Sequence, residues 1–296
     1  MLLSCGYSGR VFLVVDDEDP TLGEYLRAYG DDVIVFSKRA YEGTFDVGDL
    51  ERTRRGVIYA RNAIFDLAAD LGLTHFLVLD DDYAGIYHRF VAGSSLLSVR
   101  SRDLDALFDV TLDFLDESGA LSVCYAQGGD LIGGASSPRV AQRLLRKAMN
   151  AFFCRTDRRF QFVGRINEDT TTNAVESNRG GLFFTTVDVC LVQKMTQAQA
   201  GGMTELYLDY GTYLKSFYSV MFQPQAVKLA MMGRTDKRIH HSVDWNACAP
   251  KILSEKWKKR ACFFTRHPAE GVGIGVEKYG FLGDSRRGAR EPSALA

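Results

Sequence analysis

Short apolar segments alternate with amphipathic segments through the first half of this 296-residue chain, and no other feature restricts its fold as strongly. Apolar runs of strand length lie at 11–15, 33–36, 75–79 and 121–125. Apolar residues at helical spacing mark 61–71, where Gly72 is a natural stop, and 104–115. This alternation predicts an α/β fold with a Rossmann-type mixed, mostly parallel sheet flanked by helices.

The second half of the chain is less regular but contains the same mixture. The pattern predicts helices at 140–149 and 208–221 and strands at 160–163, 182–192 and 226–231. The segment 193–204 is polar and contains Gly, which is typical of a lid or a binding loop. We expect a single catalytic domain over 1–266, followed by a Gly- and Arg-rich tail over 267–296.

Composition and charge narrow the class of protein. No stretch reaches the roughly 20 apolar residues of a membrane span, and the N-terminus lacks the basic and apolar regions of a signal peptide. The six cysteines are scattered without a C-x-x-C pair, which argues against a zinc ribbon or a redox motif. The formal net charge of −1 excludes a polycation. We therefore expect a cytoplasmic protein without a membrane partner.

Three consecutive aspartates, Asp80, Asp81 and Asp82, follow the apolar run 75–79. In open α/β sheets, ligands bind just outside the carboxyl ends of strands. Carboxylates this close repel one another, and a hard divalent cation such as Mg²⁺ or Mn²⁺ is the usual neutralising partner. A solvated turn is the alternative, since Asp favours turns and helix N-caps. By itself the triplet also fits a Mg²⁺-dependent phosphohydrolase or nuclease.

Other charged residues each admit two interpretations. Arg61, near the start of the helix before the triplet, could hold a diphosphate or the acidic cluster, or could form a surface ion pair. Glu168 and Asp169 could supply a general base, or could complement the dipole in the first turn of a helix. Of His240 and His241 only one could bind a given metal, since adjacent side chains of a strand point to opposite faces; a structural role is the alternative.

A basic stretch over 139–165 contains eight Arg and Lys residues and a single acid. Its arginines Arg155, Arg158 and Arg159 are candidates for contact with a nucleic-acid backbone. A solvated helix face is the alternative, and charge alone does not separate the two.

Three long sequence blocks resemble a known family. They are "NEDTTTNAVESNRGGLFFTT" at 167–186, "QKMTQAQAGGMTELYLDYGTYLKSFYSVMFQP" at 193–224 and "GRTDKRIHHSVDWNACAPKI" at 233–252. Together with a strand that ends in Asp-x-Asp, they resemble the TET-associated glycosyltransferases of bacteriophages, over about 57–252. The resemblance implies a GT-A-like fold and the transfer of a sugar to 5-hydroxymethylpyrimidines in phage DNA.

The resemblance implies a metal site. Asp82 would be the leading metal ligand, and Asp80 would be a ligand that lies nearer to the donor. His240 or His241 would be a late ligand. Along an extended strand the side chain of Asp81 points away from both neighbours, so its replacement should cost less activity than theirs.

The resemblance also implies a base, a donor site and a lid. Asp169 would be the catalytic base, with Glu168 beside it. The implied donor-binding residues are Asp16, Asp17, Arg61, Asn62, Asp80 and Asp81. The implied acceptor or lid residues are Gln193, Lys194, Gly201, Gly202, Met203 and Thr204.

The implied activity is a metal-dependent glycosyl transfer in the cytoplasm of an infected host. Mn²⁺ or Mg²⁺ would be the cofactor, a UDP-sugar the donor, and hydroxymethylated DNA the partner. The sugar would be GlcNAc or glucose, and the acceptor the hydroxymethyl group of 5-hydroxymethylcytosine. A GT-A glycosyltransferase with a protein, glycan or small-molecule acceptor is the alternative.

Overall fold

The structure, a computed structural model, describes residues 1–149, 151–193, 211, 213–233 and 237–250, which belong to one compact unit spanning 1–252. The strands are β1 Leu13–Asp16, β2 Val33–Phe36, β3 His75–Val78, β4 Tyr83–Ala92, β5 Ser95–Arg100, β6 Ser122–Ala126, β7 Leu144–Leu145, β8 Phe152–Arg155, β9 Phe183–Gln193, β10 Val227–Met232 and β11 Arg238–Val243. The helices are α1 Leu22–Tyr29, α2 Ile58–Asp70, α3 Leu104–Ser118, α4 Pro138–Gln142, α5 Glu168–Asn178 and α6 Leu214–Phe222. The predicted domain boundary at 266 and the predicted tail lie outside the described residues.

The main sheet is mixed, with strand order β3-β8-β6-β9-β4-β5 and with β7 paired to β9. Among its described strands, the β6–β9 pairing is parallel and the other pairings are antiparallel. The predicted α/β class is confirmed, but the prediction of a mostly parallel sheet was wrong. One reason is the hairpin β4–β5, whose two-residue turn contains Gly93 at φ +60° and returns the chain without a helical crossover.

Three strands of the main sheet nevertheless run in the same direction. β3 and β6 both pair antiparallel with β8, and β6 pairs parallel with β9. The carboxyl ends of β3, β6 and β9 therefore lie at the same end of the sheet, which is where ligands bind in open α/β sheets.

Two smaller sheets accompany the main one. β1 and β2 form a separate parallel pair, and β10 and β11 form a separate antiparallel pair. The acids that end β1 are consequently not part of the carboxyl-end edge formed by β3, β6 and β9.

The core lies on both faces of the main sheet, because successive residues of β8 point to opposite sides. Phe152 packs with Ile58 and Phe65 of α2 on one face. Phe153 packs with Phe108 of α3 on the other face, where the ring centres are 5.2 Å apart. Helices α2 and α3 thus cover opposite faces of the sheet and fix its position between them.

Helix α5 is polar in sequence but almost entirely buried. Its first turn carries two carboxylates, which complement the helix dipole. Its side chains are matched to neighbouring groups: Thr172 accepts from the Val163 amide at 2.9 Å, and the hydroxyls of Thr171 and Ser219 lie 3.0 Å apart. These bonds fix α5 against α6 and compensate for the burial of polar groups.

Several predicted elements are confirmed. Helix α2 ends as expected: Gly72 adopts φ +68°, and the Leu73 amide donates to Ala68 at 2.9 Å. Other predicted strands and one further predicted helix also match the structure. They are the strands near β1, β2, β3, β6, β9 and β10 and the helix near α3. No described helix has the combined length and apolarity that crossing a bilayer requires.

Two predicted elements were wrong. The helix expected over 140–149 ends at Gln142, because Arg143 takes a left-handed conformation (φ +59°) and the next two residues pair with β9 as β7. The strand expected over 160–163 is irregular. There the backbone amide of Phe162 donates to the side chain of Asn62 at 2.9 Å, so side chains satisfy groups that a neighbouring strand would otherwise satisfy.

Candidate active site

The Asp triplet lies at the end of the main sheet to which β3, β6 and β9 point. Asp80 follows β3, Gln127 follows β6, and Gln193 ends β9. The side-chain amide of Gln193 donates a long hydrogen bond of 3.5 Å to Asp82. The turn after β3 is thereby joined to the end of β9, next to the loop that follows β6.

A buried arginine connects this turn to α5. Arg61 of α2 is 3% exposed, and its Nη2 donates to both carboxylate oxygens of Asp80 at 3.0 and 3.2 Å. Its Nε lies 2.8 Å from a carboxylate oxygen of Glu168. The rings of Phe152 and Phe162, with centres 5.3 and 5.7 Å from the guanidinium carbon, pack around it. Of the two predicted contacts for Arg61, the structure shows the one with the acidic cluster.

The carboxylates around Arg61 are electrostatically coupled. Burial raises the pKa of Glu168 to about 7, an effect that Asp169 and Asp80 reinforce and Arg61 opposes. Burial also raises the pKa of Asp80, again against the effect of Arg61, and Asp82 and Asp169 add to the increase. Several carboxylates thus surround one guanidinium, and this excess of negative charge favours the approach of a further cation.

The triplet itself forms a turn. Asp81 and Asp82 are turn residues between β3 and β4, so the expectation that Asp81 lies in an extended strand was wrong. Its side chain is nevertheless the most exposed of the three, whereas Asp80 and Asp82 are half-buried. The turn therefore holds Asp80 and Asp82 toward the protein and leaves Asp81 in solvent.

Tyr83, which directly follows the triplet, is a site residue that sequence reasoning missed. Its side chain is buried, and its hydroxyl has no hydrogen-bond partner among the described residues. Burial raises the pKa of Tyr83, with Asp80 and Asp82 adding to the increase, so the hydroxyl stays protonated. It is a donor that a bound ligand could use. The sequence signal that could have identified Tyr83 as a site residue is its position directly after the Asp triplet.

The start of α5 brings Glu168 and Asp169 close to Arg61 and Asp80. Asn167 precedes the helix in a left-handed conformation (φ +61°), and its side-chain amide donates to Ser219 of α6 at 2.6 Å. Asp169 accepts from the Thr170 amide at 2.6 Å. It acts electrostatically on both Arg61 of α2 and Lys215 of α6. Sequence reasoning also missed Lys215, which is the single charge in an otherwise apolar and polar-neutral helix.

A family model for TET-associated glycosyltransferases matches residues 1–202. The chain belongs to this family. The matched region contains Arg61, the Asp triplet and the two acids at the start of α5, and the predicted membership is confirmed. No curated protein and no solved structure matches the chain significantly. Membership identifies the chain as a glycosyltransferase, so the acidic edge is the candidate active site of a sugar-transfer enzyme.

In this family member, the two predicted late metal ligands lie on β11. The rings of His240 and His241 are 4.2 Å apart, so they contact each other rather than pointing to opposite faces as expected. Burial lowers the pKa of His241 to about 4, with His240 and Lys215 adding to the decrease, so the ring is neutral near pH 7. The amide nitrogen of Asn167 lies 3.4 Å from its Nδ1, which connects the pair to the start of α5.

The described residues contain no group of three or more His, Cys, Asp or Glu side chains that could hold a metal ion. A metal site that joins the histidines to the Asp triplet therefore stays a prediction. The triplet alone offers oxygen ligands of the kind that hard cations take.

Several predicted donor-binding residues make contacts within the protein. Asn62 donates to the carbonyls of Ile58 and Phe162, each at 3.1 Å, and so holds α2 against the irregular segment before α5. Asp16 pairs with Lys38 at 2.8 Å, and Asp17 accepts from the Lys38 amide at 3.0 Å. The structure places both aspartates on the separate β1–β2 sheet, and their donor role stays a prediction.

The three arginines predicted to contact DNA all have intramolecular partners. Arg155 pairs with Asp157 and Asp116, each at 2.7 Å. Arg158 donates to backbone carbonyls at the end of α3, at 2.7 to 3.2 Å. Arg159 pairs with Asp66 at 2.5 Å. Their contact with a DNA backbone stays a prediction, and it would compete with these bonds.

Most of the predicted lid lies outside the described residues. Gln193 is described and contacts the triplet as above. The others are Lys194, Gly201, Gly202, Met203 and Thr204.

Proposed function

We propose that this chain transfers GlcNAc or glucose from a UDP-sugar to the hydroxymethyl group of 5-hydroxymethylcytosine in DNA. The observation that supports the proposal is the buried Arg61, which ties Asp80, just after β3, to Glu168 at the start of α5. Such a fixed set of charges, in a chain whose family is that of TET-associated glycosyltransferases, is suited to hold a sugar nucleotide. We further propose that the turn after β3 corresponds to the Asp-x-Asp turn of a GT-A fold.

We assign the divalent cation, Mn²⁺ or Mg²⁺, to the Asp triplet. Asp82 is half-buried and Asp81 exposed, so both carboxylates are accessible, whereas both oxygens of Asp80 accept from Arg61. Mg²⁺ is commonly bound through one or two carboxylates plus substrate phosphates, so a three-residue cage is not required. When bound, the cation supplies charge stabilisation for the departing UDP. His240 and His241 are secondary candidates as ligands.

The protein side chains then orient and activate the acceptor. In the transfer, the acceptor hydroxymethyl oxygen forms a bond to the anomeric carbon of the sugar. The bond from that carbon to the diphosphate oxygen breaks, and UDP leaves with the electron pair. Asp169 accepts the hydroxyl proton, since it lies at the start of α5 beside the Arg61 cluster. Glu168 holds Arg61 in place and is the alternative base, because its raised pKa suits proton transfer near neutral pH.

The direct experiment uses a duplex oligonucleotide that contains one 5-hydroxymethylcytosine. The protein, Mn²⁺ and a panel of UDP-sugars should give an oligonucleotide heavier by one sugar and an equal amount of released UDP. Matched oligonucleotides with cytosine or 5-methylcytosine should stay unchanged, since neither carries the acceptor hydroxyl. Cleavage of DNA without any donor would instead support the phosphohydrolase or nuclease alternative.

A further inference from the structure

A cavity of about 440 Å³ lies along the end of β9 and reaches Gln193, the residue that contacts Asp82. It is lined by Arg89 of β4, by residues 127–129 after β6, and by residues 190–193 of β9. Its volume is within the roughly 300–1,000 Å³ of ligand pockets. Gln193 lines the cavity and also donates to Asp82, so a molecule in the cavity would lie directly beside the proposed donor site.

Arg89 gives the cavity its charge. Its Nε is buried and has no hydrogen-bond partner among the described residues. The guanidinium carbon lies 5.9 Å from the ring centre of Tyr87, and the charge of Arg89 and its hydrogen bond to Cys190 oppose the rise that burial causes in the pKa of that thiol. None of the described residues that line the cavity is acidic. The nearby carboxylate of Asp130, next to the lining residue Gly129, pairs with Lys147 and Arg139. Arg89 is the one cation among the described lining residues, and a guanidinium suits an anion such as a phosphate.

A glycine-containing turn after β6 forms another part of the cavity lining. The Gln127 amide donates to Asp130 at 3.2 Å, and its side chain donates to the Met149 carbonyl at 3.3 Å. These bonds fix the turn that contains Gly128 and Gly129. A Cβ atom added at either glycine would meet nothing within 4 Å, so the backbone there borders open space. A flat group can therefore approach this backbone closely.

We propose that this cavity binds the acceptor nucleotide, a pyrimidine deoxynucleotide extruded from the DNA stack, with Arg89 on its phosphate. This inference rests on the proposed function and names the acceptor subsite beside the donor site. The donor diphosphate with its cation needs carboxylates, which the triplet has and the described cavity lining lacks. Gln193 offers both an amide donor and an amide acceptor for the edge of a base. Because Gln193 also contacts Asp82, the hydroxymethyl group of the base would face the sugar.

Arg89→Gln tests the phosphate contact, with Arg100→Gln as the matched control. Arg100 is an exposed arginine on the same β4–β5 hairpin and does not line the cavity. We expect Arg89→Gln to raise the KM for a hydroxymethylcytosine oligonucleotide at least about tenfold. The Kd for the UDP-sugar and the slow UDP release without DNA should stay as in the wild type. Arg89→Lys should recover part of the loss, and Arg100→Gln should behave as wild type.

Gly129→Leu tests occupancy of the cavity without depending on Arg89. The added side chain enters open space, and Gly23→Leu on the exposed α1 helix is the control. Isothermal titration with 5-hydroxymethyl-2′-deoxycytidine monophosphate should show binding to the wild type and to Gly23→Leu but a large loss with Gly129→Leu and Arg89→Gln. Unchanged nucleotide binding in both cavity variants overturns the inference, and so does a loss of donor affinity instead, which would place the UDP-sugar in the cavity.

The two proposals fail in different ways. If the wild type transfers no sugar but binds the nucleotide through Arg89, the proposed function fails while the cavity assignment holds. If the wild type transfers sugar and both cavity variants do so with an unchanged KM for DNA, the cavity assignment alone fails.

Discussion

Replacing Arg61 by Met tests how the acidic site is held together. Arg61 is 3% exposed, and Met retains much of the apolar stem while removing the guanidinium that contacts both Asp80 and Glu168. Removing one partner of a buried ion pair costs about 3–5 kcal/mol, because the other charge stays buried without compensation. At about 2–4 °C per kcal/mol for a domain of 150–250 residues, the Tm should fall by roughly 6–20 °C.

The loss should depend on pH with a defined sign. The folded-state pKa of Glu168, about 7, is above its usual 4.5, so stability from this group is present below pH 4.5 and is lost as the pH rises through 7. Arg61 opposes that increase in pKa, and without it the carboxyl should hold its proton to still higher pH. The stability difference between wild type and Arg61→Met should therefore be larger at about pH 8 than at about pH 5.

Thermal and urea denaturation of four proteins at both pH values measures this effect. They are the wild type, Arg61→Met, Glu168→Gln and the double variant. Glu168→Gln removes the buried negative charge, so the double variant should recover much of the stability that Arg61→Met loses at the higher pH. An Arg61→Met protein as stable as wild type, or a loss that is equal at both pH values and unaffected by Glu168→Gln, would refute this account of the site.

Five further variants separate site residues from structural ones. Asp82→Asn should lower UDP release at least about 100-fold with an unchanged Tm, whereas Asp81→Asn should cost less; the reverse order would remove Asp82 as the leading ligand. Asn62→Ala should lower the free energy of unfolding by about 2–6 kcal/mol, since it leaves buried backbone groups unpaired. A variant that is as stable as wild type but no longer binds the UDP-sugar would instead indicate that Asn62 contacts the donor. Arg165→Met, which removes a buried arginine with five hydrogen bonds to the segment 49–55, should cost about 3–5 kcal/mol and speed proteolysis of that segment. Its surface counterpart Arg155→Gln should leave stability nearly unchanged, and a steep loss of DNA affinity in Arg155→Gln would show that the arginine exchanges its internal partners for phosphate.

Local patterns in the sequence predicted most of the elements that hold the site. The run before Asp80, the helical spacing before Gly72 and the acidic start of α5 all depend on neighbours within a few residues, and all three are confirmed. The failures depend on distant partners. Segment 160–163 alternates like a strand, but its amides bond to side chains of α2 and α5. The sheet was expected to be mostly parallel because no pattern identified the β4–β5 hairpin or the pairing of β8.

The site was predictable in its chemistry but not in its geometry. The clustering of acids indicated where charge would gather, yet nothing in the spacing showed that Arg61 would be buried between Asp80 and Glu168. Arg89 and Gly129 gave no motif at all, since a single arginine in a strand and a glycine in a turn are common. Their relation emerges only from the pairing of β4 and β6 with β9.

Mass spectrometry of an oligonucleotide with a single 5-hydroxymethylcytosine tests the central claim most directly. Incubation with the full-length protein, Mn²⁺ and each UDP-sugar should add one sugar to that base with at least one donor, with UDP released in equal amount. Asp82→Asn should fail to do so while remaining folded. No mass gain and no UDP release with any donor, from a folded wild-type protein, would contradict the assignment of this site to sugar transfer onto DNA.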